Sequence, residues 1–526
     1  VSADGRFVVF QSWASNLVAG DTNGLSDVFR RDLQLGTTWL VSQSMSGGGA
    51  AAGESLAPDI SGTGRYVVWA SGAADIVPGD TNNRRDVFLR DMQTGLVERL
   101  SVTSAGAQVS GVSSAPRISP DGRWVVFWSQ SGLLPSDQNG FHDVYRLDRT
   151  TGELALVSIT AGGLQGNFWS FDGDVSDDGR YVTFLSEADN LAAGDVNFGA
   201  DVFLKDMRTG ELQRLSETAN GTSSDGISDD PCVSGDGSTV TYTSFASDLI
   251  PGDTNGAPDA FAYDVASAMT ERLNVRPDGT QSALGANLST SLSFDGRFVC
   301  FSSPAGDLVP GDTNGKFDIF LRDRSLQTTE RINLSPAGAG LNDDSWWPHM
   351  TPDARIVTFT SDASDVLFGD TLGARQIYAR DLSGTVGTSY CDTTLNSTGQ
   401  RGVITATGST LYLDNDVTLT ATSLTPNAFG YFLVSTLQGL IVNPGGQQGT
   451  LCLNLPIGRF DGPGEVQDSG STGSISLRLD LASIPQPDGP LAALPGTSLH
   501  FQVWHRDEMV GQPTSTFSRG VTVRLN

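Results

Sequence analysis

The chain has 526 residues, 62 of them glycine, and sets 32 basic against 60 acidic side chains for a net charge of −28. That length exceeds what one core usually fills, so two domains or one large repeat array are expected. The charge excludes a nucleic-acid binder, which needs a basic footprint, and disfavours docking on anionic lipid. No run approaches the ~18 apolar residues of a membrane span. The opening VSADGRFVVF reads as a strand, not a signal peptide, and points to a mature or truncated start.

That opening phrase at Val1 returns as ISGTGRYVVW at Ile60, ISPDGRWVVF at Ile118 and VSDDGRYVTF at Val175. It returns again as VSGDGSTVTY at Val233, LSFDGRFVCF at Leu292 and MTPDARIVTF at Met350. Seven copies at a period of 57 to 59 residues make a repeat array. Each unit reads as four short strands. A strand ending in x-P-x-I-S meets a D-G turn, then a second strand apolar on both faces, as suits burial between two layers. A loop carrying G-D-T-N leads to a third strand, D-V-F-L-R-D, and a T-G turn to a fourth, E-R-L-S-V. The expected fold of residues 1–386 is an all-β, seven-bladed β-propeller. The first unit lacks its inner strand. The seventh departs from the pattern, with Asp370-Thr371-Leu372 in place of D-T-N and Gln376 in place of the usual Asp.

The repeat resembles the TolB-type propeller repeat, in the G-D-T-N-G-x-x-D-V-F form common in exported proteins of planctomycetes and related bacteria. The resemblance covers about residues 1–385. It implies a propeller fold, mostly a binding scaffold, with a few related propellers acting as polysaccharide lyases.

Residues 391–526 carry no trace of the repeat, and their 10 acidic and 6 basic side chains leave most of the negative charge to the propeller. VTLTATSL, YFLVSTL, GTLCLNL, SISLRLDL, LHFQVWHRD and GVTVRLN alternate as half-buried strands do, which predicts a C-terminal β-sandwich. This segment resembles a C-terminal domain found at the ends of large exported planctomycete proteins. The resemblance rests on Tyr390-Cys391, Phe429-Gly430-Tyr431-Phe432, Gly449-Thr450-Leu451-Cys452, Ile457-Gly458-Arg459-Phe460 and the run Phe501 to Asp507. With export, it implies a Cys391–Cys452 disulfide, worth ~3–4 kcal/mol on the chain-entropy model. Cys232 and Cys300 could pair or stay as buried thiols.

The most repeated polar pattern is Asp-x-Asn-x-x-x-Asp. It occurs as Asp21/Asn23/Asp27, Asp80/Asn82/Asp86 and Asp137/Asn139/Asp143, then as Asp195/Asn197/Asp201, Asp253/Asn255/Asp259 and Asp312/Asn314/Asp318. Two carboxylates and an amide around a tight turn suit a hard cation such as calcium. The same residues make Asx turns without metal, and both readings stand. The repeated Asp after the third strand reads as a turn cap or an Arg partner. Four histidines without His-x-x-x-His or Cys-x-x-Cys argue against zinc.

Two inter-unit loops carry aromatics, Phe168-Trp169 and Trp346-Trp347, the latter followed by His349. Exposed rings stack on sugars or anchor partners, whereas buried ones pack between blades. His349 shares its repeat position with Asp59, Arg117, Asp174, Cys232 and Ser291, which places all six at the mouth of a central channel. The expected function is an extracellular or cell-surface structural or binding protein. It would be the subunit of a homopolymeric filament or an adhesin, self-associating by strand addition at the incomplete first blade or through the C-terminal domain. The alternatives are a polysaccharide lyase or hydrolase and a monomeric glycan- or protein-binding propeller. No catalytic residue is assigned.

Overall fold

The computed structural model describes all residues except 48, 287–288, 336–338, 368–374, 383–387, 391–395, 409–416, 443, 445–449, 488, 494–496, 510–511 and 525–526. No α-helix occurs among the described residues. Two compact units emerge. One holds residues 1–332, 344–361 and 376–380; the other holds 333–343, 362–375 and 381–526.

The first unit is a seven-bladed β-propeller of antiparallel sheets. Blade 1 has three strands, Phe7–Ser12, Asp27–Asp32 and Thr37–Leu40. Blade 2 has four, Ser55–Ile60, Tyr66–Ser71, Asp86–Asp91 and Val97–Arg99. Blades 3 to 6 repeat that order over residues 113–156, 170–214, 228–272 and 290–331. Blade 7 contributes Ser345–Met350, Ile356–Ser361 and Gln376–Asp381. The second strands of blades 2 and 3 are apolar on both faces because they lie inside a layered stack, and that of blade 5 buries Thr239, Thr241 and Thr243 on one of its faces. Val67, Val68, Trp69 and Ala70 are all fully buried.

The D-G-R turn does three jobs. Its glycine takes a left-handed φ, between 66° and 75° at Gly64, Gly122, Gly179, Gly237 and Gly296. A Cβ there would lie only 2.2–2.5 Å from the side chain that opens the second strand of the preceding blade: Phe7, Tyr66, Trp124, Tyr181 and Thr239 respectively. The bare glycine is what lets each blade dock on the last. Gly5 meets Ile356 in the same way, which packs blade 7 against blade 1 and closes the ring. The arginine of the turn pairs at 2.6–2.7 Å with the Asp that ends the third strand, as Arg6–Asp32, Arg65–Asp91, Arg123–Asp148, Arg180–Asp206 and Arg297–Asp323. Each Asp also accepts from a turn amide, as Asp91 does from Gln93 N at 2.9 Å. Turn cap and ion pair are therefore one device.

Inner strands slip register once in blades 2, 3, 4, 5 and 7. The bulged residues Ala57, Ala115, Asp172, Asp230 and Trp347 adopt positive φ. The bulge re-aims the residues that follow it.

The second unit is a β-sandwich. One sheet runs in the order Thr388–Tyr390, Gly520–Arg524, Ser498–Met509, Phe429–Ser435 and Gly458–Arg459. The other runs Val403–Gly408, Val417–Thr422 and Ile475–Arg478. Ile404, Leu419 and Ile475 from the second sheet share one core with Phe432, Phe501, Val503 and Val521 from the first. Val403–Gly408 and Gln512–Phe517 are strands that the alternation of apolar residues did not single out. Thr388–Tyr390 joins this sheet ahead of residue 391.

Candidate functional site

The six Asp-x-Asn loops build turns first. Asn23 Oδ1 accepts from Leu25 N at 2.8 Å while its Nδ2 donates to Ala51 O at 2.9 Å. Asn82, Asn139, Asn197 and Asn255 repeat the second bond, to Val109, Gly166, Ser224 and Ser282 carbonyls at 2.9–3.1 Å. The Asn thus brackets two loops of its blade. In blade 6, Asn314 Nδ2 donates to Asp318 at 2.8 Å, and its Oδ1 accepts from Lys316 N at 3.0 Å. The second Asp caps the outer strand. Asp27, Asp86, Asp143 and Asp201 accept from Ser42, Ser101, Ser158 and Ser216 hydroxyls at 2.5–2.6 Å.

The amide oxygen is the only atom an asparagine side chain can offer a hard cation. In all six loops that oxygen accepts from the backbone N–H two residues on, at 2.8–3.0 Å. These bonds show Asn23, Asn82, Asn139, Asn197, Asn255 and Asn314 each closing an Asx turn.

Arginine from the outer strand enters four of these loops. Arg99 Nη1 lies 3.5 Å from both Asp80 and Asp86. Arg272 approaches Asp253 and Asp259 at 3.0 and 2.8 Å, and Arg331 approaches Asp312 and Asp318 at 2.8 and 3.2 Å. Arg214 is looser, at 3.5 Å from Asp195 and 4.0 Å from Asp201. In blades 2, 4, 5 and 6 a guanidinium therefore stands where a metal ion would sit between the carboxylates. Asp370 to Leu372 of the seventh unit lie outside the described residues.

The channel mouth gathers charge. Burial works against the charge on Arg117, but the field of Asp59, Asp174 and Asp230 outweighs it and raises the pKa. His349 faces the open lumen, so water reaches it. The surrounding protein, and then Arg117, hold its imidazole below the usual value. The lumen side chains are mostly engaged in tying blades together. Asp59 Oδ2 accepts from Ile118 N at 2.8 Å, Asp174 Oδ2 from Val233 N at 3.0 Å, and Ser291 Oγ from Met350 N at 3.0 Å. These bonds staple blade 2 to 3, 4 to 5 and 6 to 7. Asp230 adds a bond from Thr290 N at 3.1 Å, joining blade 5 to 6.

The rim of blades 3 and 4 is different. His142 lies between two tryptophans, 4.9 Å from Trp128 at an interplanar angle of 6° and 5.3 Å from Trp169 at 20°. Phe168 packs on Trp169 at 4.9 Å and on Phe141 at 5.4 Å. Five rings make one continuous ladder. The backbone builds it. Ser170 N donates to His142 O at 2.8 Å, which brings the two loops together, and Asn139 Oδ1 accepts from Phe141 N at 3.0 Å. Phe168 and Trp169 remain 39% and 43% exposed, so these rings are not consumed by packing between blades. Burial lowers the His142 pKa, which keeps the ladder uncharged at neutral pH.

Trp346 and Trp347 form a smaller group with Phe317, at ring separations of 6.3–6.4 Å. Trp347 occupies the bulge of its strand. His349 follows them in sequence but lies under the field of Arg117, with the lumen set. Trp128, Phe141 and His142 were not singled out from the sequence. Their signal was departure from the repeat: Trp128 replaces Ala70 and Leu185, and His142 replaces Arg85 and Ala200.

Cys391 lies outside the described residues, and so does its expected pairing. Cys452 is buried, with its N donating to Gln502 Oε1 at 2.9 Å. Cys232 and Cys300 are free thiols, pushed above the usual pKa by burial.

No family model matches the chain, and no curated protein matches it. Among solved structures it is similar to a protein assigned as TolB from Agrobacterium tumefaciens, with 18% identity and a TM-score of 0.34 over 56% of this chain and 84% of that one. It is also similar to a prolyl endopeptidase, at 11% identity and TM-score 0.41, with 77% of this chain and 52% of that one covered. The tricorn protease follows, at 11% and 0.25, with 98% and 44% covered. The chain thus spans about half of each of these two proteases. Likeness at these identities bears on the fold alone.

Proposed function

We propose that this protein is an exported, surface-associated binding protein of adhesin type, which takes neutral glycan on the aromatic ladder of blades 3 and 4. The observation that carries the reading is the ladder itself: five uncharged rings in contact, with Phe168 and Trp169 in its middle open to solvent. Flat apolar faces of that kind bind the apolar faces of sugar rings, and their rigidity keeps the entropy cost of binding low. The lumen supports a scaffold over an enzyme, because Asp59, Asp174 and Asp230 are engaged in hydrogen bonds between blades. Export accords with the planctomycete-type repeat and tail, and would go with a Cys391–Cys452 disulfide.

The test is a screen of the full chain against neutral and acidic glycans, followed by a turnover assay on any that bind. Saturable binding of neutral glycans without cleavage is the expected result. Release of shortened or unsaturated sugars would replace this reading with the lyase or hydrolase one.

A second reading, self-association by strand addition, rests on blade 1. Phe7–Ser12 forms the edge of its three-stranded sheet, and Val9, Phe10 and Gln11 are less covered than the matching residues of blade 2. Such an edge takes a further strand, from residues that precede Val1 or from a second copy of the chain, and the second case gives self-association. Electron microscopy of the undenatured protein should then show ordered chains of particles. Discrete single particles at high concentration would remove this reading.

A further inference from the structure

The acidic loop of blade 1 is unlike its counterparts. In blades 2, 4, 5 and 6 the arginine sits in register with the central phenylalanine of the third strand, as Arg99 does with Phe88. In blade 1 that position is Leu40, opposite Phe29. Blades 2 and 5 add a glutamine. Gln108 Nε2 reaches Asp80 at 2.7 Å and Asp86 at 3.3 Å, and Gln281 Nε2 reaches Asp253 at 2.8 Å and Asp259 at 2.9 Å. The matching bridge residue in blade 1 is Ala50. Blade 3 also lacks the arginine, having Leu156 there. It replaces the phenylalanine with Tyr145, whose hydroxyl donates to Asp137.

Blade 1 has none of these three solutions. Asp21 is only 5% exposed, and neither carboxylate oxygen has a hydrogen-bond partner among the described residues. Asp27 is fully buried, with its oxygens engaged by Ser42 Oγ at 2.6 Å and Asn23 Nδ2 at 2.7 Å. In the same loop, Ser26 is 2% exposed and its hydroxyl is unpartnered. Two buried carboxylates with no counter-charge are costly, and a buried carboxylate with bare oxygens more so. Four sister loops meet the same demand with an internal cation.

We propose that blade 1 recruits its cation from solution: a hard divalent ion of the calcium type, held by Asp21 and backed by Asp27, in the place that arginine fills in four other blades. All the donors are oxygens, which excludes a soft-metal site. Calcium tolerates an irregular oxygen set completed by water, whereas magnesium demands a near-ideal octahedron. The ion would fix the 18–27 loop, which already meets Ala50 and Ala51 through Ala50 N to Gly20 O at 3.2 Å and Asn23 Nδ2 to Ala51 O at 2.9 Å. It would thereby brace the blade at which the ring closes. An affinity of about 10⁻⁴–10⁻³ M, that of extracellular calcium modules, is expected. The inference is independent of the glycan reading.

The experiment is calorimetric titration of the full chain with calcium chloride after EDTA treatment and dialysis. The expected result is one saturable site per chain. Leu40→Arg, which imports the guanidinium of the sister blades, should abolish binding without lowering the melting temperature. Asp21→Asn, which is isosteric, should abolish it as well and decides the matter if Leu40→Arg fails to fold. Asp80→Asn, in a loop that has its own arginine, should leave binding intact. Absence of a saturable site up to millimolar calcium would overturn the proposal, as would undiminished binding in Asp21→Asn. The first outcome would mean that a proton alone neutralises the pair.

Discussion

The lumen and the rim of the propeller are built from inner strands and the loops beside them, yet they use their side chains in opposite ways. The lumen carries the residue types usually associated with chemistry: carboxylates that include Asp59, Asp172, Asp174 and Asp230, an arginine, a thiol and an imidazole. Most of that capacity goes into hydrogen bonds from one blade to the next, at Asp59, Asp174, Asp230 and Ser291. The rim of blades 3 and 4 carries uncharged rings that touch one another but leave Phe168 and Trp169 open. Residue type alone did not mark the candidate site. Unspent capacity did.

The sharpest way to break this contrast is Trp169→Ala. Removing a central aromatic anchor should weaken glycan binding more than about 30-fold, with the melting temperature little changed. Arg117→Ala should do the reverse. It leaves Asp59, Asp174 and Asp230 without their counter-charge, at a cost of about 1.5–3 kcal/mol in denaturant unfolding, and glycan affinity should stay at wild type. Ser291→Ala removes one neutral staple between blades 6 and 7 and should cost about 0.5–1.5 kcal/mol.

Acidity provides a finer test. Asp143 is fully buried, and burial pushes its carboxyl up to about 7. The folded state holds that proton more tightly than the unfolded chain, so stability falls as pH rises from about 4 through 7. Asp206 works in the other direction, because its pair with Arg180 pulls it down to about 2. Its contribution is present above about pH 4 and is lost as pH falls towards 2. The melting temperature should therefore peak near pH 4–5.5, and Asp143→Asn should flatten the alkaline side. A wild-type optimum at pH 8 would contradict this account.

Much of the architecture was legible because it is written seven times. A period of 57 to 59 residues, D-G-R turns and doubly apolar second strands define the blades before any coordinates. The alignment of His349 with Asp59, Arg117, Asp174, Cys232 and Ser291 likewise identified the lumen set. The stapling role of these residues was not legible, because a hydrogen bond from Ile118 N to Asp59 spans two blades. The ladder was half legible. Phe168 and Trp169 are adjacent in sequence, but His142 and Trp128 reach them only through the bond from Ser170 N to His142 O. The Asp-x-Asn loops misdirect most, since identical motifs lie in different electrostatic settings. What separates blade 1 from blade 2 is Leu40 in place of Arg99, on another strand altogether.

The most direct test of the central claim is a tryptophan-fluorescence titration of the full chain with neutral oligosaccharides, run in parallel on Trp169→Ala. The account predicts a saturable change in wild type that is lost in the variant while the melting temperature holds. No saturable change with any neutral oligosaccharide, or the same curve in both proteins, would contradict it.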